Sequence, residues 1–286
     1  RDRPIIGVGE STVPSFVDFI EEVGLTEQDL FDNIGSIRKY TLEHNNWNGI
    51  GHRWYHHFIF NANQEEEQMT WLKNNEKPNK KWRHSYHIDA GLFAELLKNK
   101  VGIPNGVEHV IDNIIDVKTD INGIEYVTGT NSEYKADLYI DCSGFNQKLI
   151  GEFKLPTENN PNLINNCAWA AHADYKHPNK SDMAHFTRTI AMTNGWQWNI
   201  CLQDRVGVGY VFSDQYISTD NAKDELILNC PYDVRLDTLK LIRYDSQWIN
   251  EVWNKNVLAI GLSAGFLEPL ESQSIFLIQM QIHMLY

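Results

Sequence analysis

Three short stretches of the chain place small residues where a backbone could approach a bound anion. Tyr139-Ile-Asp-Cys-Ser-Gly-Phe145 and Ala259-Ile-Gly-Leu-Ser-Ala-Gly-Phe266 each read as a buried strand, a glycine turn and the start of a helix. Gly7-Val-Gly-Glu-Ser-Thr-Val-Pro14 adds a third strand-to-helix turn, with hydroxyl donors. Small residues admit a ligand close to the chain, and a helix start favours an anion such as a pyrophosphate. Tight helix–strand packing accounts for the same pattern. The chain contains no GxGxxG, so these residues alone do not complete a dinucleotide site.

The histidines offer a second chemistry. His52, His56 and His57 cluster in sequence, as metal ligands do. On a strand, however, His56 and His57 point to opposite faces, and no carboxylate or cysteine lies nearby, so no metal site is expected. His84 and His87 precede a helix entry and read as structural, with Asp89 as the N-cap.

The elements that must position these residues follow from periodicity. Phe16, Phe19, Ile20 and Val23 have helical spacing and stop at Gly24, and a second short helix starts at Thr26-Glu27-Gln28-Asp29. Residues 37–47 and 54–60 have the Tyr, Thr, Ile and Trp content of strands. Residues 64–81 are polar and charged and read as a long loop or lid. Residues 89–100 are helical, and 107–130 form a hairpin about Asn122-Gly123. From 165 to 212 the chain is strand-rich, as in an antiparallel sheet. Val257-Leu-Ala-Ile-Gly261 is a buried strand before the terminal helix. The class is α/β (α+β), without repeats or low-complexity segments. The expected organisation is a core over 1–160 with the lid loop 64–81, an antiparallel sheet over 161–250, and a return to the core over 251–286.

The composition narrows the partners. The 286 residues include 25 Lys+Arg and 38 Asp+Glu, for a formal charge of -13. That balance argues against nucleic acid or an anionic membrane. The four cysteines, Cys142, Cys167, Cys201 and Cys230, show neither CxxC nor zinc spacing, which fits a reducing, cytoplasmic setting. There is no apolar run long enough to span a bilayer and no signal-peptide pattern. The chain opens at Arg1-Asp2-Arg3-Pro4 and closes inside the apolar stretch 274–286, and is expected to be an interior piece of a longer polypeptide.

Gly9-Glu-Ser-Thr-Val-Pro14, Asp141-Cys-Ser-Gly-Phe145, Gly195-Trp-Gln-Trp-Asn-Ile200 and Gly265-Phe-Leu-Glu-Pro-Leu-Glu-Ser272 occur in the order, and at about the spacing, of the flavin-dependent halogenases of the tryptophan-halogenase type. The chain resembles that family along essentially its whole length. The resemblance implies a FAD-dependent monooxygenase-like fold with a mixed flavin-binding sheet. It implies FAD, used as FADH2, together with O2 and a halide ion. Halide attacks the flavin hydroperoxide, and the hypohalous acid formed passes to a lysine beside an electron-rich, indole- or tryptophan-like aromatic. A separate flavin reductase supplies FADH2, and a homodimer is compatible with the family.

The same resemblance assigns residues. The family's lysine lies eight positions before a tryptophan that closes its strand, which selects Lys39 ahead of Trp47. An ammonium there donates to the hypohalous oxygen and polarises the halogen, whereas a neutral amine could form a haloamine. Without the family, Lys39 is an ordinary solvent-facing strand lysine. Glu271 matches the second essential residue, a carboxylate that stabilises or deprotonates the arenium, with Ser272 as its polar neighbour; a first-turn helix carboxylate explains it equally. The flavin set is Gly9, Ser11, Thr12, Val13, Pro14, Val110, Asp141, Gly144, Gly261, Leu262, Ala264 and Ile275. His56 and Phe58 would sandwich the substrate ring. Trp196 and Trp198 would bar it from the flavin.

Three departures stand out. Gln273-Ser274 replaces Thr-Gly at the halide site, from which a preference for bromide or iodide over chloride is expected. Cys201 replaces a proline, and Ser11 stands where alanine is common. Two rival readings follow: a flavin monooxygenase that hydroxylates its substrate directly, and a non-catalytic homologue that lacks the GxGxxG region.

Overall fold

A computed structural model describes the chain apart from residues 1–8, 59–61, 75–77, 80, 269, 271 and 286. Two compact units emerge, one of Ile5–Gly106 with Asn165–Tyr244, the other of Val107–Ile164 with Asp245–Tyr286 and the chain start.

The first unit carries, in chain order, β1 (Glu10–Ser11), α1 (Ser15–Glu22), α2 (Glu27–Ile34), β2 (Ile37–Lys39), β3 (Thr41–Asn45), β4 (Arg53–His57), α3 (Ala62–Asn74), β5 (Ser85–Ile88) and α4 (Ala90–Leu97). It continues with β6 (Cys167–Asp174), β7 (Phe186–Met192), β8 (Gly195–Cys201), β9 (Val206–Phe212) and α5 (Thr219–Asn229). The helices form where local signals ask for them. Phe16 and Ile20, one turn apart, are the buried face of α1. Thr26 and Asp29 close a reciprocal capping box on α2, and Gly35 ends it in the left-handed region. Asp89 caps α4 by accepting from Leu92 N–H.

Two sheets organise this unit. In the small one β5 lies between β1 and β2, antiparallel to both. The large one has eight strands, with β6, β9, β8, β7, β3 and β4 side by side and two short strands, Asp233–Val234 and Lys240–Arg243, on the outer edge of β6. The expected antiparallel sheet is present as β6–β9–β8–β7. To it β3 adds in parallel, Phe186 opposite Thr41 and Ile190 opposite Asn45. That pairing draws residues 5–106 to 165–244, whereas the expected grouping kept 1–160 together. α5 covers one part of the sheet, Ala222 and Leu226 packing with Cys167, Tyr210 and Phe212.

Within the expected lid loop 64–81 the structure has a helix, α3, from Ala62 to Asn74, while 75–77 and 80 lie outside the described residues. Its Gln-Glu-Glu-Glu-Gln-Met and Trp-Leu-Lys are good helix formers, and asparagines at both ends disguised them. Tertiary contacts fix it. Trp71 packs edge-on to Tyr40 at 5.7 Å and beside Trp82 at 5.6 Å, and Gln68 Oε1 meets His57 Nδ1 at 2.6 Å.

The second unit has three small sheets. Ile114–Asp120, Gly123–Gly129 and Glu133–Tyr134 form a meander whose first turn is the expected Asn122-Gly123. Tyr139–Asp141 pairs in parallel with Val257–Ala259, which pairs antiparallel with Trp253–Asn254, giving a mixed sheet. Thr157–Asn159, Gln247–Ile249 and Gly265–Phe266 make the third. Ile124, Val127, Tyr139, Ile150, Val257 and Ala259 share the core. The terminal helix α6 spans Gln273–His283.

Candidate active site

Lys39 is the last residue of β2, where the chain leaves the small sheet for β3 of the large one. It is fully buried. Lysine rarely tolerates that without partners. Its Nζ donates to Ser11 Oγ at 2.6 Å and to the Thr12 carbonyl at 3.0 Å, and stands 5.1 Å from the centroid of the Phe58 ring. An ammonium over an aromatic face is a favourable cation–π arrangement. Three residues selected from the sequence for different reasons, Lys39, Ser11 and Phe58, are therefore one cluster.

The 9–14 strap is held rigidly. Thr12 Oγ1 donates to the Tyr86 carbonyl at 2.8 Å and touches Ser85 Oγ at 2.5 Å, and Ser85 Oγ donates to the Val13 carbonyl at 2.7 Å. Gly9 has φ +152, a conformation that side-chain-bearing residues rarely adopt, and it lies against Ile200 and Leu202. Pro14 sits at the N-cap of α1. The hydroxyls of Ser11 and Thr12 thus face the protein, leaving Val13 and Pro14 as the more exposed part of the strap.

Behind Ser11 the polar contacts continue. Ser11 Oγ lies 2.7 Å from Thr187 Oγ1 on β7, Thr187 Oγ1 lies 2.8 Å from His87 Nε2 on β5, and His87 Nδ1 donates to the Cys201 carbonyl at 2.9 Å. His87 is fully buried. Burial, and then the nearby Lys39 charge, push its pKa down to about 3. Cys201 keeps the carbonyl that a proline would also supply, and its Sγ takes a backbone N–H from Ala184 at 3.3 Å.

Cross-strand pairing places further residues on one face of the large sheet. Thr187 and Thr189 stand opposite Leu42 and His44, Trp198 opposite Thr189, and Trp54 and His56 opposite His44 and Leu42. On that face Trp196 and Trp198 lie 6.0 Å apart, and Trp198 rests on Gly209, whose missing Cβ would sit 2.1 Å from its ring. His44 stacks on Trp54 at 4.0 Å and meets Thr189 Oγ1 at 2.7 Å, and the Trp47 indole N–H donates to the same hydroxyl at 3.2 Å. His56 is exposed and Phe58 is buried. The opposite face holds Glu43, 1% exposed, ion-paired with Arg188 and accepting from Tyr55 OH at 2.8 Å.

Glu10, beside Gly9, has its pKa pushed up to about 7, first by burial and then by the Asp89 carboxylate. The folded state therefore prefers the neutral acid. Below the unfolded value of 4.5 this costs nothing; stability falls as pH rises from there to about 7 and is level above it. Glu10→Gln is expected to raise the melting temperature near pH ~8 and to leave it unchanged near pH ~4, as read by calorimetry at both.

In the second unit, Asp141 ends its strand with both oxygens engaged. Ser143 N–H and Ser263 Oγ–H reach Oδ1, and the N–H groups of Leu149 and Ile150 reach Oδ2. Burial acts to raise its pKa, but these donors hold it below the usual carboxylate range. Asp141 therefore braces the turn. Gly144 (φ +68) and Gly261 (φ +67) follow the ends of the parallel strands, the crevice where α/β sheets receive ligands. A Cβ at Gly144 would meet no atom within 4 Å. Gly261 N–H donates to Gln281 Oε1 of α6 at 3.0 Å, Ala264 is buried, Leu262 and Ile275 are half-buried, and Val110 is exposed. Gln273 and Ser274 open α6 after Ser272, which holds φ +61. Glu271 lies outside the described residues.

Solved structures share this fold. The flavin-dependent halogenase BrvH from Brevundimonas sp. BAL3 superposes with a TM-score of 0.85 at 28% identity, over 97% of this chain and 64% of that one. The architecture is thus that of the FAD-dependent monooxygenase-like proteins. A model of the tryptophan halogenase family matches residues 1–80 and 59–286, and the chain belongs to that family. The 7-chloro-L-tryptophan 6-halogenase KtzR of Kutzneria sp. (strain 744) is 29% identical over 98% of this chain, and the tryptophan 7-halogenase RebH of Lentzea aerocolonigenes 28% over 99%. The chain spans 64% and 62% of the length of those two relatives.

Proposed function

We propose that this chain is the catalytic core of a flavin-dependent halogenase acting on an electron-rich, indole- or tryptophan-like aromatic. The observation that carries the reading is the fully buried Lys39, tied to the 9–14 strap and set against Phe58. A general surface lysine has no reason to occupy that position. The glycine turns at Gly144 and Gly261 would hold the flavin within the second unit. When bound and reduced, it supplies hypohalous acid from oxygen and halide. A separate reductase would provide the reduced flavin.

The chain's own residues then act on the oxidant. The Lys39 ammonium donates to the hypohalous oxygen and leaves the halogen electrophilic. The aromatic carbon attacks the halogen, and the oxygen departs as water once it has received a proton. Glu271 takes the ring proton and restores aromaticity, so that ArH and HOX become ArX and water. Trp196 and Trp198 keep the aromatic away from the flavin, and Phe58 with His56 orients it.

Turnover with chemically reduced FAD, oxygen, bromide and indole tests the reading: a brominated product that requires bromide supports it. A hydroxylated product would favour the monooxygenase reading, and failure to bind FAD a non-catalytic role. Because Gln273-Ser274 opens α6 in place of Thr-Gly, bromide is expected to outcompete chloride when both are equimolar. Predominant chlorination in that competition would refute the halide assignment.

A further inference from the structure

We propose that Ser11, Thr187 and His87 form a one-way hydrogen-bond chain that positions the Lys39 ammonium. The proposal deepens the role given to Lys39 above and rests on it. None of the three need touch the substrate or the flavin, so they are positioning residues.

The direction of each link is set by elementary donor and acceptor rules. The Cys201 carbonyl can only accept, so His87 Nδ1 carries the proton. A neutral imidazole then presents Nε2 as an acceptor, and Thr187 must donate to it across 2.8 Å. With its proton committed, Thr187 Oγ1 accepts from Ser11 across 2.7 Å. Ser11 in turn is left with oxygen lone pairs facing Lys39 Nζ at 2.6 Å. The Thr12 carbonyl takes a second ammonium proton, so two of the three N–H bonds are fixed on the strap and the direction of the third is determined.

Two features keep the chain from reversing. His87 is fully buried and close to the Lys39 charge, and both disfavour the imidazolium. An imidazolium would point N–H at Thr187, take away the acceptor that fixes the Thr187 proton, and so release the order of the Ser11–Thr187 link. His87 is therefore a terminal acceptor and not a proton sink. Ser11, which stands where the family commonly has alanine, becomes the link that couples lysine to β7 and β5. This departure from the family is in direct contact with the Lys39 nitrogen.

The test uses Thr187→Val, which keeps the shape and removes the hydroxyl, and Thr187→Ser, which keeps the hydroxyl. In protein labelled with 15N-lysine, the Lys39 Nζ protons are expected to exchange slowly with water in wild type and Thr187→Ser, and fast in Thr187→Val. In turnover, Thr187→Val is expected to lower kcat for bromination about tenfold with KM unchanged, as loss of one oriented hydrogen bond should, and Thr187→Ser to stay within about twofold of wild type. Equal exchange in all three proteins would overturn the proposal. So would equal losses in both variants, because a merely structural threonine would not be rescued by serine. If wild type makes no brominated product, the proposed function fails, and the exchange measurement still decides the arrangement of Lys39.

Discussion

Replacing Lys39 by methionine is expected to lower aromatic halogenation by at least about a thousandfold while flavin oxidation continues. The size follows from what the ammonium does. One preorganised donor aimed at developing charge in a water-poor site is worth about a hundred- to a thousandfold in rate. Here the same nitrogen also holds the oxidant beside its target, and loss of that orientation adds to the deficit. Methionine fills a similar apolar volume and packs against Phe58, so the fold should survive, although Ser11 Oγ and the Thr12 carbonyl lose a donor. Oxidant made at the flavin would then escape, and a scavenger in solution would collect it. Product and trapped oxidant are measured in the same reaction, and an unchanged ratio between them would contradict the assignment.

Arg188→Ala is expected to carry the largest stability cost. Arg188 and Glu43 face each other in the β3–β7 register, 145 residues apart in sequence, and the Glu43 side chain is 1% exposed. Removing one partner of a buried pair leaves an uncompensated charge, at a cost of about 3–5 kcal/mol. Tyr55 and Asn45 still donate to Glu43, and Arg53 lies 3.6 Å away but is largely exposed, so compensation is partial. Against a net stability of about 5–15 kcal/mol, that loss moves the urea midpoint far with little change in slope. The double variant Glu43→Gln/Arg188→Met should recover much of it, because neither residue then leaves a buried charge. A midpoint equal to wild type in Arg188→Ala would show that the pair contributes nothing.

What could be read from the sequence was whatever local chemistry decides. Thr26 and Asp29 announce α2, Asp89 announces α4, and Asn122-Gly123 announces its hairpin, because each signal lies within a few residues of the structure it produces. α3 escaped because its apolar anchors, Met69, Trp71 and Leu72, are few among glutamates and asparagines, and its stability depends on Tyr40, Trp82 and His57 elsewhere in the chain. The parallel β3–β7 pairing escaped for a related reason: no local pattern specifies which distant strand will be the neighbour.

The site divides in the same way. Lys39, Trp196 and Trp198 were reached only through the family resemblance, Lys39 by the family's register to Trp47, since the residues alone gave a solvent-facing strand lysine. Thr187 and His87 had no such signal, because an isolated threonine on a strand and a histidine before a helix are unremarkable until β7 and β5 converge on the strap. His44 and Thr189 likewise meet only through sheet register. Asp141 carried the opposite risk. Its strand runs into the glycine turn at Gly144, and its oxygens are occupied by Ser143, Leu149, Ile150 and Ser263. Its part in any cofactor site is to fix the turn at Gly144.

The most direct measurement is the mass spectrum of the product made from indole with reduced FAD and bromide under 18O2. A product with the paired isotope lines of bromine and no 18O is the expected result, since the halogen enters the ring and the oxygen leaves as water. A product carrying 18O and no bromine would contradict halogenation and identify a hydroxylase.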